Sequence, residues 1–314
     1  MRDNPPVHVI VLNWNNAADT IECLHSLEQT DYQPLNRLVV DNGSMNGSVD
    51  VIREAFPGIE LMELDTNYGY ARGNNMGIQH AIEAGAEYVL ILNNDTCVEA
   101  SMLAQLVSIA ESNPDIGMVG PAMYCYGTNS TIFALGSIVN WKHGETTHRG
   151  IFQPATEFSD LYEPEPVDFI PGCGVLVSRK FIETVGFLDP TYFLNYEDAD
   201  WGIRGKRLGF EIWFVPHAKM WHKVSATLGK ASPANTYYMT RNALLFFWRR
   251  SPPGYRWIAV LVILLRTLRS ILAWTVRPKY RNPEFKALRS ANIQALRDFS
   301  AGRFGPLPED TVIR

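Results

Sequence analysis

Apolar runs of strand length alternate with amphipathic helical segments from residue 7 to residue 112. The runs are rich in β-branched residues, which is typical of buried strands, and the segments between them carry apolar residues on one helical face. The predicted strands span 7–12, 37–40, 60–64 and 88–92. The predicted helices span 18–29, 45–55, 76–84 and 101–112. This alternation predicts an α/β fold with a mainly parallel, doubly wound sheet flanked by helices.

Polar residues follow the predicted strands where the strands end. Asn13, Asp41, Asn67 and Asp95 stand at or just beyond the four carboxyl ends. Because doubly wound sheets bind ligands beyond these ends, we expect the four side chains to lie at one edge of the sheet. The sequence therefore predicts a ligand site there.

The chain becomes less regular after Pro121, where strands and loops are expected to cover the site up to residue 167. Further predicted elements are a strand at 169–178 interrupted by glycines, helices at 179–185 and 197–208, and a strand at 211–215. After residue 235 the chain becomes helical and basic. The change predicts two parts, residues 1–235 and a helical extension over 236–314.

Charge is distributed unevenly between these parts. Residues 241–314 carry 14 Lys/Arg and 4 Asp/Glu, and the totals of 28 and 33 leave 14 basic and 29 acidic residues in the first 240. An acidic front argues against a protein that binds nucleic acid. A basic, aromatic end predicts contact with an anionic membrane surface or a phosphorylated ligand.

The apolar run from Trp257 to Leu265 allows two interpretations. Arg266 and Arg269 interrupt it at about half of the roughly 20 residues that cross a bilayer. We therefore expect a helix that lies in the membrane interface and makes a peripheral contact. The alternative is an amphipathic helix that only packs on the rest of the protein.

Composition places the chain among ordinary globular proteins, with 46% apolar and 19% charged residues over 314 positions. Its four cysteines are widely spaced and form no CxxC pair, which argues against a structural zinc site and favours free thiols in a reducing cytosol. The first apolar run is too short for a signal peptide. We therefore expect a cytoplasmic protein.

Three segments at the strand ends could bind a nucleotide. Asp95 could ligate a metal that bridges a diphosphate, although a lone Asp at a strand end is more often a helix N-cap. Asp41 could accept hydrogen bonds from a base or ribose, or belong to a turn. The amides of the loop 67–75 could contact a phosphate or base, or the loop could be a simple glycine-rich turn; it lacks the GxGxxG spacing of dinucleotide sites.

An acidic cluster, Glu197, Asp198 and Asp200, is the sharpest chemical signal. Three carboxylates in four residues repel one another unless a metal, water or donors intervene. One of them could be the general base that deprotonates an acceptor hydroxyl; the alternative is a favourable interaction with a helix N-terminus. Two further side chains are ambiguous: His222 could ligate a metal or be structural, and Arg241 could pair with a phosphate or a surface carboxylate.

Taken in order, eight segments resemble the family 2 glycosyltransferases, which have the GT-A fold. The resemblance is closest to the rhamnosyltransferase-like and galactofuranosyltransferase-like branch. The matching segments are VIVLNWN at 9–15, VVDNGS at 39–44, NYGYARGNN at 67–75, ILNNDT at 91–96, GCGVLV at 172–177, YEDADW at 196–201, WH at 221–222 and YYMTRN at 237–242.

The resemblance implies a role for each matching residue. Asp198 is implied as the catalytic base with Glu197 as its partner, and Asp95 and His222 as ligands of Mn²⁺ or Mg²⁺. The residues implied in donor binding are Asn13, Asn15, Asp41, Asn42, Ser44, Asn67, Gly69, Gly73, Asn74, Asn93, Asn94, Gly172 and Arg241. The residues implied in acceptor binding are Tyr196, Asp200 and Trp201.

The implied activity is an inverting, metal-dependent transfer from a nucleoside diphosphate sugar, with dTDP-rhamnose first and UDP-sugars next. The implied acceptor is a cell-surface glycan or a polyprenyl-linked glycan at the inner face of the cell membrane. Two departures from the family pattern are visible. Asn93 replaces the first acid of the DxD metal motif, and the QxxRW signature of processive synthases is missing.

Two other classes of protein remain open from the residues alone. A nucleotidyltransferase should carry a basic, glycine-rich loop after the first strand, but Asn13 to Asn16 contains no basic residue. A non-catalytic carbohydrate-binding protein would not need Asp95, Asp198 and His222 together.

Overall fold

A computed structural model describes residues 4–128, 130–223 and 232–307. Its strands are β1 (Val7–Asn13), β2 (Leu35–Asp41), β3 (Glu60–Glu63), β4 (Tyr88–Asn93), β5 (Thr96–Val98), β6 (Ile116–Cys125), β7 (Ile132–Ala134), β8 (Ser137–Asn140), β9 (Glu145–His148), β10 (Glu165–Pro166), β11 (Gly174–Ser178) and β12 (Glu211–His222). Its α-helices are α1 (Ala17–Glu28), α2 (Ser48–Ala55), α3 (Gly69–Glu83), α4 (Met102–Ser112), α5 (Arg179–Val185), α6 (Glu197–Arg207), α7 (Pro233–Arg250), α8 (Arg256–Val276) and α9 (Pro283–Ser300).

Most of these strands form one mixed sheet. Within the described residues its order is β10-β12-β6-β11-β4-β1-β2-β3, with β5 paired to β12 and β7 to β6. The four strands β3, β2, β1 and β4 are parallel, and β11 runs antiparallel between β4 and β6. The predicted α/β fold with a mainly parallel sheet is confirmed.

The centre of the sheet is buried on both faces. Strands β1 and β4 are almost entirely apolar, and helices such as α1 and α3 cover them. A strand with helices on both sides needs apolar residues in succession rather than in alternation. Both strands become polar only at their carboxyl ends, at Asn13 and Asn93, which places polar groups at one edge.

Strand β12 is longer than the pattern predicts. The prediction ended it at Val215, before a proline, whereas the strand resumes after a register shift and continues to His222. The shift lies between Val215 and Lys219 in the pairing with β6. Beyond it, β12 also pairs with β5, so that His222 lies opposite Thr96.

Two further differences concern the middle of the chain. The segment 67–75, predicted as a loop, is helical from Gly69 onward, because its glycines begin a helix instead of a turn. The ten-residue strand β6 was missed, since Pro121 in its sequence argues against a central strand.

The C-terminal helices α7, α8 and α9 pack on one another and on the sheet domain. One apolar cluster joins Phe169, Tyr192 and Ile203 to Leu244 and Phe246 of α7. The two predicted parts therefore share a core. Helix α8 is long and apolar enough to cross a membrane by length and composition, and 22% of its most apolar window is buried.

Candidate active site

The first group of site residues surrounds the carboxyl ends of β1 and β2. Asn13 Nδ2 donates to Asp41 Oδ1 at 2.6 Å, and the Ser44 amide and hydroxyl donate to the two Asp41 oxygens at 2.9 and 2.6 Å. Asn15 joins the group, because its amide donates to Ser44 Oγ at 2.7 Å. Asn13 and Asp41, two of the four residues predicted to lie at this edge, are therefore in direct contact.

The start of α3 is tied to the same edge through Asn42. Its Nδ2 donates to Asn67 Oδ1 at 3.1 Å and to the Gly69 carbonyl at 3.2 Å. Gly69 has a φ of +80°, and a Cβ atom there would lie 2.5 Å from the Phe193 ring. Because only glycine tolerates both constraints, this position fixes the approach of α3 to the loop before α6.

Gly73 and Asn74 are buried more deeply than is expected of residues that contact a ligand. A Cβ at Gly73 would be 2.9 Å from Leu12, and Asn74 is fully buried with its Nδ2 donating to the Tyr70 carbonyl. Their positions indicate helix packing. The donor contacts expected of these two residues are therefore corrected to structural roles.

Asp95 and His222 meet although they are far apart in sequence. His222 Nε2 and Asp95 Oδ1 are 3.1 Å apart, and the Lys223 amide donates to the Asp95 carbonyl at 2.8 Å. The pairing of β5 with the end of β12 creates this contact. The Phe133 ring packs edge-on against the imidazole at 4.7 Å, so the pair is largely screened from water.

The surroundings of the pair favour the charged forms of both partners. Burial disfavours the imidazolium, but the neighbouring sulfur of Cys173 and the hydrogen bond to Asp95 outweigh it and raise the pKa of His222 to about 10. Burial likewise opposes the charged form of Asp95, yet the contact with His222 holds the pKa of that carboxyl below its usual value. Protonation of His222 and binding of a divalent cation would therefore oppose each other at this pair.

The residues fit a metal that also binds a diphosphate. Among the described residues no group of three or more His, Cys, Asp or Glu side chains could enclose a metal by itself. His222 Nδ1 is buried and makes no hydrogen bond there. An imidazole nitrogen and a carboxylate oxygen suit Mn²⁺ or Mg²⁺ when substrate phosphates supply further oxygens.

Asn93 and Asn94 support the position of Asp95 and do not add further ligands to the Asp95–His222 pair. The Asn93 side chain donates to the Asp95 carboxylate and helps keep it charged. Asn94 Nδ2 donates to the Asn16 carbonyl at 3.1 Å and to the Thr20 hydroxyl at 3.0 Å, which ties the turn to α1.

Asp198 lies half-buried at the start of α6. Its Oδ2 accepts from the Gly172 amide at 3.1 Å and its Oδ1 from the Ala199 amide at 2.7 Å. Burial raises the pKa of Asp198, and these amides oppose the shift. Glu197 is buried, its Oε2 has no partner among the described residues, and burial together with Asp198 raises its pKa well above the usual value.

Tyr70 connects the Asp95–His222 pair with these carboxylates. Its hydroxyl donates to the Gly172 carbonyl at 2.5 Å, and the next carbonyl, of Cys173, accepts from the Asn93 amide at 3.1 Å. Burial, followed by the charges of Glu197 and other acids including Asp198 and Asp95, raises the pKa of Tyr70 strongly. The turn at Gly172 and Cys173 is thus contacted from both sides, and no sequence pattern had singled out Tyr70.

The loop before α6 has an unusual backbone. Phe193, Asn195 and Tyr196 all have positive φ, a conformation that costs energy in residues other than glycine. Asn242 of α7 holds it in place, since its Nδ2 lies within 2.7 to 3.0 Å of the carbonyls of Tyr192, Leu194 and Asn195. Sequence reasoning missed Asn242, because an asparagine inside a helix gives no signal of what it contacts.

The acceptor roles expected of three residues need correction. Asp200 is fully buried and pairs with Arg204 at 2.7 Å and with Arg250 at 2.6 Å. Trp201 is 1% exposed, and its Nε1 donates to the Gly186 carbonyl at 2.7 Å. Tyr196 packs on Phe246. Side chains so enclosed cannot contact a sugar, and they instead anchor α6.

Arg241 is also buried, so its position does not agree with the expected role in binding phosphate. It is 1% exposed and donates to the Tyr237 hydroxyl at 3.0 Å and to the Gly305 carbonyl at 2.8 Å. Arg72 is a better-placed cation. It lies exposed 4.2 Å above the Tyr68 ring and lines a cavity of about 460 Å³ beside Asn67.

Comparison with known proteins agrees with this geometry. The chain is 23% identical to the dTDP-rhamnosyl transferase RfbF of Shigella flexneri over 80% of its length and 82% of that protein. It is 24% identical to N-acetylglucosaminyl-diphospho-decaprenol L-rhamnosyltransferase of Mycobacterium tuberculosis over 79% of its length and 87% of that protein.

Solved structures show the same fold at low identity. The mannosyltransferase PcManGT of Pyrobaculum calidifontis, in complex with GDP-Man and Mn²⁺, superposes with a TM-score of 0.58 at 16% identity over 96% of this chain and 89% of that one. GalNAc-T7 with UDP, GalNAc and Mn²⁺ gives 0.61 at 15% identity over 98% of this chain and 60% of that one. Both support the predicted GT-A architecture.

The family model described as glycosyl transferase family 2 matches residues 8–186, which is more than half of the chain. That span extends from β1 to α5 and includes Asp41, Asp95 and the Gly172–Cys173 turn. The chain therefore belongs to glycosyl transferase family 2, within its rhamnosyltransferase-like branch, and is a glycosyltransferase.

Proposed function

We propose that the enzyme transfers rhamnose from dTDP-rhamnose to a hydroxyl of a glycan or polyprenyl-linked acceptor, with inversion at the anomeric carbon. The observation that carries the proposal is the arrangement around the Gly172–Cys173 turn. The Asp95–His222 pair lies on one side and Asp198 on the other. The names of the two rhamnosyltransferase relatives support the choice of sugar, with UDP-sugars as the second candidate.

The donor nucleotide would bind beyond the ends of β1 and β2. Asp41 offers a carboxylate to the base or ribose, and the Asn13 side-chain amide and the Ser44 backbone amide hold that carboxylate in place. Arg72 would approach the phosphates from the cavity beside Asn67. These roles agree with the general location of ligands in doubly wound sheets.

Asp95 and His222 would hold Mn²⁺ or Mg²⁺ together with the diphosphate. When bound, the ion supplies positive charge to the departing diphosphate. His222 must lose its proton to ligate, so ion binding and deprotonation are linked. The Asn93 side chain would help keep Asp95 charged for this role.

Asp198 would remove the proton from the acceptor hydroxyl. The Gly172 and Ala199 amides orient it, and its raised pKa makes it a stronger base than an exposed aspartate. Glu197 lies beside it as a buried acid whose charge is disfavoured, which allows the proton to be held within the pair. In direct displacement Asp198 would form no bond to the anomeric carbon. It would only take the proton of the acceptor hydroxyl.

The acceptor would be a sugar hydroxyl on a polyprenyl carrier, reached from the cytoplasmic side of the membrane. One of the two relatives acts, by its name, on a decaprenol-linked sugar. The basic C-terminal helices supply a surface to which such a carrier could bind.

A donor screen tests the proposal. The full chain is incubated with a panel of nucleotide sugars and a polyprenyl-diphosphate acceptor, and release of nucleoside diphosphate is measured with Mn²⁺, Mg²⁺ or EDTA. We expect release that is greatest with dTDP-rhamnose and lost in EDTA. Equal release in EDTA would refute the metal role, and preference for another donor would refute the sugar assignment.

A further inference from the structure

One face of α8 is apolar and uncovered along its whole length. Its large side chains are between 51% and 69% exposed and recur every three or four residues, which aligns them on one side of the helix. We call this surface the outer face. It consists of Trp257, Leu261, Leu265, Leu268, Leu272 and Val276.

The opposite face of α8 is fixed to the protein. Ala259 and Ile263 are buried and lie against Gly144 in the β8–β9 hairpin, where a Cβ atom would be 2.8 Å from Ile263. Arg266 forms an ion pair with Glu145 of the same hairpin. A helix held along its side in this way stays parallel to the surface of the protein, so its apolar face suits the plane of an interface and not a span.

Charge around the outer face is strongly positive. From Arg249 to Arg289 the chain has ten Lys/Arg residues and one acid, Glu284. Several of these cations are tied to the protein, but within the described ranges no carboxylate forms an ion pair with Arg269, Arg277 or Arg281. Two copies of such a surface would repel each other, whereas an anionic bilayer is complementary to it.

Aromatic residues stand near both ends of the helix. Trp257 packs edge-on against Trp248 at 4.8 Å near the start, and Trp274 contacts Phe285 at 5.9 Å near the end. Tryptophan rings are amphipathic and favour the headgroup level of a bilayer. Their placement flanks the aliphatic part of the outer face.

We propose that the outer face of α8 inserts into the surface of an anionic bilayer, with the helix parallel to the membrane plane. The inference deepens the proposed function, on which it rests for the idea of a lipid-linked acceptor. Its physical basis is separate, since it depends on α8 and the basic and aromatic residues around it. The hairpin contacted by α8 hydrogen-bonds Tyr196 through Thr146, so docking would place the start of α6 near the membrane.

Vesicle binding tests the proposal without reference to catalysis. The full chain is sedimented with vesicles of phosphatidylcholine alone or mixed with phosphatidylglycerol, and activity is followed on a water-soluble acceptor. We expect binding to the mixed vesicles only. The double variant Leu265→Glu/Leu268→Glu should weaken binding at least about a hundredfold, because two leucines leave the apolar phase. Its soluble activity should be unchanged.

Two controls separate the outcomes. Val51→Glu changes a half-exposed apolar residue on α2 and should bind vesicles like the unaltered chain. Arg269→Gln/Arg277→Gln should weaken binding about fivefold for each charge removed and reduce its salt dependence. Normal binding by the double leucine variant would overturn the proposal. The proposal would also be overturned if the unaltered chain were a dimer and the double leucine variant a monomer. A second copy of the chain, and not a bilayer, would then cover the outer face.

Discussion

The proposed chemistry depends first on Asp198, whose carboxylate is held by two backbone amides, while Glu197 and Asp200 of the same cluster are buried. We expect Asp198→Asn to lower kcat by about 10²- to 10⁴-fold, because the acceptor loses its base, while donor affinity stays within about twofold. Single-turnover kinetics and calorimetry with dTDP-rhamnose would measure both. Asp115→Asn, at an exposed acid, serves as the control. A proportional loss of donor binding would assign Asp198 to the donor instead.

Burial of Asp198 also predicts the pH dependence of turnover. Its folded pKa is raised above 3.8, and only the deprotonated form can accept a proton. Activity should therefore be full at high pH and fall as the pH drops through the raised pKa. The pH profile of kcat at saturating donor and Mn²⁺ would report this acidic limb. A flat profile down to pH 4 would contradict the role.

His222 should govern the requirement for metal. We expect His222→Ala to raise the Mn²⁺ concentration for half-maximal activity by about tenfold or more, because the site loses its only neutral ligand, a change of ~1.4 kcal/mol. Manganese titration of the initial rate measures this. His217→Ala is a matched control on the same strand, where the side chain is exposed. An equal effect of both substitutions would speak against metal ligation.

Among individual residues, the sequence singled out Asp95, Asp198 and His222, which the structure brings around the Gly172–Cys173 turn, but not their surroundings. Asp95 and His222 were paired only through resemblance to the family, because their contact depends on strand β5, whose three residues give no periodic signal. Asp200 and Trp201 were assigned to the acceptor only through resemblance to the family, which does not show that both side chains are buried. Helical spacing separates its members, so Asp198 faces the turn at Gly172 while Asp200 faces Arg250.

Among the secondary-structure elements, α7 has a role that the sequence did not predict. It positions the loop before α6, in which three residues have positive φ. We expect Asn242→Ala to lower kcat at least about tenfold with little change in the donor KM, since three carbonyls lose their shared donor. The stability cost should be about 1–3 kcal/mol. Steady-state kinetics and thermal unfolding would measure the two effects.

A second buried asparagine provides the control for that experiment. Asn292 of α9 is 4% exposed and accepts from the Thr240 hydroxyl at 2.7 Å, but it does not contact the loop. Asn292→Ala should reduce stability and leave kcat unchanged. If the two variants lose activity equally, the effect of Asn242 is general destabilisation and not positioning.

Local pattern predicts the first four strands within two or three residues, because each is an apolar run that ends at a polar group. Strands β6 and β12 were missed or shortened because Pro121 and Pro216 interrupt their sequences. Both prolines fall where the pairing is irregular: Val215 pairs with Pro121, and the register then shifts by three residues on β12. Pairing between distant strands decides whether such proline-containing segments form strands. A single sequence does not reveal that pairing.

For the whole molecule, the division at residue 235 remains a prediction about function and does not mark a separate folding unit. Tyr192 and Ile203 on the catalytic side share an apolar cluster with α7. We expect residues 1–235 expressed alone to aggregate or to lack cooperative unfolding, because this surface would face water. Circular dichroism melts would test it, and a melt within about 5 °C of the full chain would contradict it.

The central claim is direct displacement on the sugar with Asp198 as base and a metal-bound diphosphate as leaving group. The anomeric configuration of the product, determined by NMR after transfer from dTDP-rhamnose, tests it most directly. The account predicts a configuration opposite to that of the donor. A product that retains the donor's configuration would require a different mechanism and would contradict the account.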